Sequence, residues 1–166
     1  MIVVEPYDFE FSELENRYLF ITKVNIAYVI RFKKFPYLFD SREPFSSDTY
    51  ELIISIGYLP STQELTLDPA IGPTLATIFD DFYKRNNLIV TIYICDSSDN
   101  RQIARQRKFS YWFDRFNTES YFKSDAVIKT HSGEIVPASI IFRRDNPYKY
   151  QILESFEKLT DGFNQK

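Results

Sequence analysis

The sequence predicts an α+β fold, with an N-terminal antiparallel four-strand meander followed by helix, strand, helix, strand, strand and helix, as one mixed sheet with helices packed on it. Three observations predict it. Over the first sixty residues apolar and polar side chains alternate with the period of a half-buried strand, and after Pro60 that period gives way to helical spacing. The third observation is the aromatic fraction of 17%, made of 16 Phe, 12 Tyr and 1 Trp, which suits strands and contact surfaces. With 166 residues, 44% of them hydrophobic, the chain has the proportions of a single domain spanning 1–166.

Tyr7, Phe9 and Phe11 begin the meander; Tyr18, Phe20 and Thr22 follow, then Tyr28, Ile30 and Phe32, then Tyr50, Leu52, Ile54 and Ile56. The intervals Glu13 to Asn16 and Lys23 to Asn25 have hairpin length. Ile71, Leu75, Ile78, Phe79 and Phe82 recur at helical spacing and predict a helix over about Ala70 to Arg85, with Asn86-Asn87 as its stop. Leu88 to Cys95 is apolar and β-branched, the composition of a strand covered on both faces. Asp96 to Asn100 supplies capping residues for a second helix running to about Asn117. Ser124 to Thr130 and Ile135 to Arg143 read as two strands joined through His131-Ser132-Gly133-Glu134. Asn146-Pro147 opens a last helix as cap and first-turn proline, with Ile152, Leu153, Phe156 and Leu159 as its stripe.

A formal charge of -3 gives no overall field for nucleic acid or an anionic membrane, and no apolar run approaches the roughly 20 residues of a membrane span. The single cysteine, Cys95, and a start without a basic flank or long apolar stretch point to a cytoplasmic protein. His131, the only histidine, lies in a turn composition, so metal clusters and histidine-based triads are not expected. Asp80 and Asp81 point about 100° apart on a helix and do not converge on a metal by themselves.

On a helical wheel Phe109, Trp112, Phe113 and Phe116 gather on one side of the second helix, with Gln102, Arg105 and Gln106 in the same sector nearer its start. Arg105 reads either as a tether to Asp96 or Asp99 or as part of a polar pocket at the strand end. Arg101, Arg105, Lys108 and Arg115 form a basic edge beside Trp112, the feature a nucleic-acid accessory factor would use, although Asp96, Asp99 and Asp114 flank it and argue against nucleic acid.

Two resemblances rest on these segments. Ile71-Gly72-Pro73-Thr74-Leu75, Phe79-Asp80-Asp81-Phe82 and the run from Tyr93 through Asn100, Arg101, Gln102 and Ala104 to Phe109 are together similar to a family of small bacterial proteins of unknown function. The order of elements resembles the second half of the GCN5-related N-acetyltransferase fold, with residues 71–75 similar to its pyrophosphate loop and Asn100 to Ala104 followed by Trp112-Phe113 similar to its later helix. That resemblance implies acetyl-CoA as cofactor, with its phosphates on backbone amides at Gly72 and Thr74. It places the pantetheine arm along Ile54, Ser55 and Ile56, and it expects the strand ending at Cys95 to splay from its neighbour. The pattern departs at Leu67, where the loop's basic or amide residue falls, at Ala70 for its first glycine, at Pro73, which lacks an N–H, and at Arg107 and Tyr111.

The functional expectation is a non-catalytic protein-interaction or accessory domain, its contact surface formed by Phe35, Tyr37, Phe39 and Phe45, with Tyr111, Tyr121 and Phe122 as a second aromatic group. The alternative is an acyl-CoA-binding N-acyltransferase-like protein, with Asp96, Tyr93 and Tyr111 as catalytic candidates and Gly72, Thr74, Ser55, Asn100, Arg101 and Arg105 as ligand-binding candidates.

Overall fold

The structure is a computed structural model that describes residues 3–65, 67–95, 98–116, 119–129 and 131–164, the side chains of 129 and 162–164 apart. Among the described residues the strands are β1 (Phe9–Ser12), β2 (Arg17–Ile21), β3 (Ala27–Lys34), β4 (Thr49–Tyr58), β5 (Val90–Ile94), β6 (Tyr121–Lys129) and β7 (Ile135–Arg143). The helices are α1 (Ile71–Tyr83), α2 (Gln102–Phe116) and α3 (Lys149–Asn164), with a short 3-10 turn at Ser46–Asp48. All seven strands form one sheet in the order β1-β2-β3-β4-β5-β7-β6. Every neighbouring pair is antiparallel except β4 and β5. The mixed α+β architecture with an N-terminal meander is therefore the one the periodicity predicts.

Turn chemistry builds the meander. Asn16 and Asn25 adopt left-handed backbone angles (φ 45° and 63°) at the ends of the β1–β2 and β2–β3 connections, a region that asparagine tolerates better than most side chains. Alternation then sends Tyr18, Phe20, Tyr28, Ile30, Phe32, Tyr50 and Leu52 to one face, where Tyr7, Phe9 and Phe11 join them. Helix α1 lays Ile71, Leu75, Ile78, Phe79 and Phe82 on that face, and α2 adds Phe109. The opposite face of β5 and β7 carries Val90, Ile92, Ile140 and Phe142, covered by Ile152 and Phe156 of α3 and by Phe39 and Phe45 of the β3–β4 connection. Among the described residues that cluster takes in none of β2 or β4 on this face, where Leu19, Val29 and Ile53 are half-buried and Ile21 is exposed.

Several boundaries differ from the sequence expectation: β5 is shorter than Leu88 to Cys95, and the starts of β6 and α3 move. β6 starts at Tyr121 rather than Ser124, because Tyr121, Phe122 and Lys123 pair with Arg143, Phe142 and Ile141. α3 starts at Lys149, since Asn146-Pro147 forms a turn in which the Asn146 carboxamide oxygen accepts the Tyr148 N–H at 2.9 Å.

Candidate functional site

The parallel pair is the point of departure. β4 and β5 are in register only at Thr49–Val90, Tyr50–Thr91 and Glu51–Ile92, although both strands continue. β5 stays with β7, to which Cys95 still donates its N–H at 3.0 Å. The pair therefore parts towards its carboxyl ends, the side where ligands enter sheets flanked by helices and where α1 begins.

The start of α1 is already occupied. The Asp68 carboxylate accepts the Ala70 N–H at 2.9 Å and the Tyr7 hydroxyl at 2.7 Å, while the Asp68 carbonyl accepts the Ile71 N–H at 3.3 Å. Pro73 has no N–H, and Thr74 already gives its own to the Ala70 carbonyl at 3.0 Å. The Phe116 ring lies so close to Gly72 that a β-carbon there would overlap it. An anion placed on this turn would meet a carboxylate and an aromatic ring, so the residues present do not fit the phosphates of an acyl-CoA.

Beside that turn runs a groove of about 610 Å³ between α1 and α2, lined by Val3, Leu67, Pro73, Tyr111, Trp112 and Arg115 among others. Its rim is unusually apolar for a surface, with Leu67 94% and Val3 80% exposed. Lys108 lies over the Trp112 ring at 5.0 Å, and Arg115 donates to the Tyr111 hydroxyl at 2.9 Å. Beneath the groove a void of about 40 Å³ between Leu75, Phe79, Phe109 and Phe113 is too small for a ligand.

The sequence-derived candidates scatter around this groove rather than converge. Gly72 and Tyr111 line it. Thr74 is buried and already bonded, accepting the Tyr7 N–H at 2.9 Å and donating to the Ala70 carbonyl at 2.6 Å. Ser55 sits opposite Val29, on the face of β4 away from α1. Asn100 takes a left-handed conformation (φ 58°) before α2, and the Arg101 N–H bonds the Asp99 carboxylate at 3.1 Å. Arg105 holds the same carboxylate with two bonds of 2.7 and 2.6 Å, so Asp99 is a partner in the expected tether. Asp96 lies outside the described residues. Tyr93 is packed against Phe109 at 4.4 Å and buried, which pushes its phenol well above the ordinary value of 10.0. Burial likewise pushes the Cys95 thiol up, as befits an inert thiol.

The expected aromatic contact surface is mostly core. Phe45 is fully buried and Phe39 nearly so, packed edge to face at 5.4 Å; Phe35 is half-buried against the same cluster, and Tyr37 alone of the four is exposed. Apolar chain needed to close the back of β5 and β7 comes from this connection. In the second group, Tyr121 is buried and Phe122 stacks on Phe142 at 5.3 Å, leaving Tyr111 exposed. Arg115 of the expected basic edge lines the groove, and so does Leu67, which the sequence does not mark as a binding residue beyond being a bare leucine on a loop.

Among the described residues no three His, Cys, Asp or Glu side chains form a metal-binding group, and no helix is long and apolar enough to cross a membrane. No curated protein and no solved structure matches the chain. Residues 67–158, from the approach to α1 through most of α3, match a family of unknown function, DUF6169, and the chain belongs to that family.

Proposed function

We propose that this chain is a binding domain without acyl-transfer chemistry, which holds a protein segment in the groove between the start of α1 and α2. One observation carries the reading: the turn that would cradle an anionic cofactor is closed by the chain's own Asp68 carboxylate and Phe116 ring, while the groove beside it keeps an exposed apolar rim. Solvent-exposed Leu67, Tyr111 and Val3 offer a protein partner apolar area at the edge of a pocket already walled by Trp112. The test is calorimetric titration with acetyl-CoA to millimolar concentration. The expected result is no heat and no thermal shift, and saturable binding overturns the reading.

A second reading, an acyl-CoA-dependent N-acyltransferase, is favoured by the parting of β4 from β5 after three paired residues. It expects binding in the same titration, strengthened in Asp68→Asn, because that change removes a negative charge from the phosphate side while an amide oxygen can still cap Ala70.

A further inference from the structure

On α2 Arg115 lines the groove, Lys108 lies over its Trp112 wall, and cations outnumber the one acid, Asp114, along this stretch. Arg107, Lys108 and Arg115 are exposed and, with Tyr111, fall within one helical sector at about 100° per residue; Asp114 lies at its margin. The acid inside the groove, Asp68, already accepts the two hydrogen bonds from Tyr7 and Ala70. An occupant that fits both features has an apolar side chain flanked by carboxylates.

The chain itself displays such a segment. At the tip of the β1–β2 hairpin Leu14 is 96% exposed, the most exposed large apolar side chain among the described residues, and it stands between exposed Glu13 and Glu15, the second of which pairs with Arg17 at 3.1 Å and would exchange that partner on docking. The tip is held in shape: the Asn16 N–H reaches the Glu13 carbonyl at 3.4 Å, Asn16 is left-handed, and the Phe32 N–H bonds the Asn16 carbonyl at 3.0 Å. A leucine presented on a fixed turn loses little freedom when it docks.

Strand directions make the contact intermolecular. β4 leads towards the start of α1, β3 is antiparallel to β4, and β2 is antiparallel to β3, so β2 begins at the far end of the sheet. There the Tyr18 hydroxyl bonds Asp81 in the last turn of α1 at 2.6 Å, and Arg85, just past the end of that helix, covers Phe11 at 4.0 Å. Groove and tip are thus separated by the length of α1, about 20 Å at 1.5 Å per residue.

We propose that the occupant of the groove is the β1–β2 tip of a second copy of this chain, with Leu14 against Leu67 and Trp112 and with Glu13 and Glu15 facing Arg107, Lys108 and Arg115. The proposal rests on reading the groove as a protein contact. Because different patches meet, the association grows into rings or open chains unless two copies exchange tips across a two-fold axis, which closes it as a dimer. A contact of this small size is weak, with a dissociation constant on the order of 100 µM or above.

Sedimentation equilibrium between about 10 µM and 1 mM tests it. The expected result is an average mass that rises above 19.7 kDa with concentration. Association is expected to fall about tenfold or more in Leu14→Asp and in Arg115→Glu, and to return when Glu13→Lys and Glu15→Lys in one copy meet Arg107→Glu and Arg115→Glu in another. Leu14 is a solvent-facing tip residue, and circular dichroism verifies that each variant folds. A chain that stays monomeric at 1 mM, or that associates equally well with Leu14→Asp, overturns the proposal; so does capture of a single-stranded DNA oligonucleotide by Arg107, Lys108 and Arg115. Monomer without acetyl-CoA binding defeats this proposal alone, whereas acetyl-CoA binding defeats the reading beneath it.

Discussion

Tyrosine hydroxyls at the margin of the front core are paired with carboxylates carried by α1 and its approach. Tyr7 bonds Asp68, Tyr18 bonds Asp81 at 2.6 Å and Tyr121 bonds Asp80 at 2.6 Å. The divergence of Asp80 and Asp81 on the helix, which keeps them from sharing a metal, is what lets each reach a different strand. Tyr83 is deeper still: its hydroxyl lies 2.6 Å from Thr91 Oγ1 and donates to the Ile141 carbonyl at 2.9 Å. Desolvation by burial is the largest cause lifting the phenols of Tyr18, Tyr83, Tyr93 and Tyr121 above 10.0. A phenol whose folded value is raised contributes stability below its unfolded value and loses it as pH rises past about 10. Tyr83→Phe is expected to cost about 1–3 kcal/mol at neutral pH, since it leaves Thr91 and the Ile141 carbonyl short of a partner. The same substitution should flatten the loss of stability above pH 10, read from urea midpoints between pH 8 and 11. Equal alkaline slopes in the two proteins would sink the assignment. None of these pairings is legible in the sequence, because each joins residues more than forty apart or spans two elements, and periodicity reports a face but not a partner.

At the scale of elements, local periodicity carried almost everything. Strand alternation in β2, β3 and β4 and the apolar stripe of α1 predict the faces that the structure buries. Misreadings arose where tertiary pairing overrides local pattern: β6 begins early because β7 offers a partner, and the aromatic β3–β4 connection is pulled into the back core instead of facing solvent. α2 illustrates how a weakly amphipathic helix is fixed. Phe109 is its buried anchor, and its first turns are tied by Arg105 and Arg101 to Asp99. The Arg105 guanidinium and the Arg101 N–H hold the Asp99 carboxyl down to about 2, below its ordinary 3.8. A carboxylate depressed on folding contributes stability above its unfolded value and loses it as pH falls towards the folded one. Thermal melts of the parent chain should therefore lose stability between about pH 4 and pH 2. Asp99→Asn should lose less over that window while starting lower at pH 7. A variant whose acid profile superimposes on the parent's would show that the tether carries no folding free energy.

For the molecule as a whole, the two apolar clusters lie on opposite faces of one sheet and share the interior strand β5. Thr91 and Tyr93 of β5 face α1 and α2, while Val90 and Ile92 face α3. Residues 90 to 94 cannot leave one core while remaining in the other, so neither layer can melt alone. Removal of Phe82, stacked on Phe32 at 3.9 Å in the front core, and removal of Ile152, fully buried in the back core, should therefore both act on one transition. Phe82→Ala is expected to cost about 3–5 kcal/mol and Ile152→Ala about 2–5 kcal/mol. With no shared contact across the sheet the two costs should add in the double variant to within about 0.5 kcal/mol, provided it remains folded. The decisive measurement is urea unfolding followed in parallel by far-ultraviolet circular dichroism and by fluorescence of Trp112, the sole tryptophan, which packs with the front cluster. If Ile152→Ala shifts the dichroism but leaves the tryptophan midpoint in place, the layers unfold separately and β5 does not couple them. Coincident midpoints in both single variants mean that α3, although it touches neither the groove nor the hairpin tip, sets the stability of the surface that carries both.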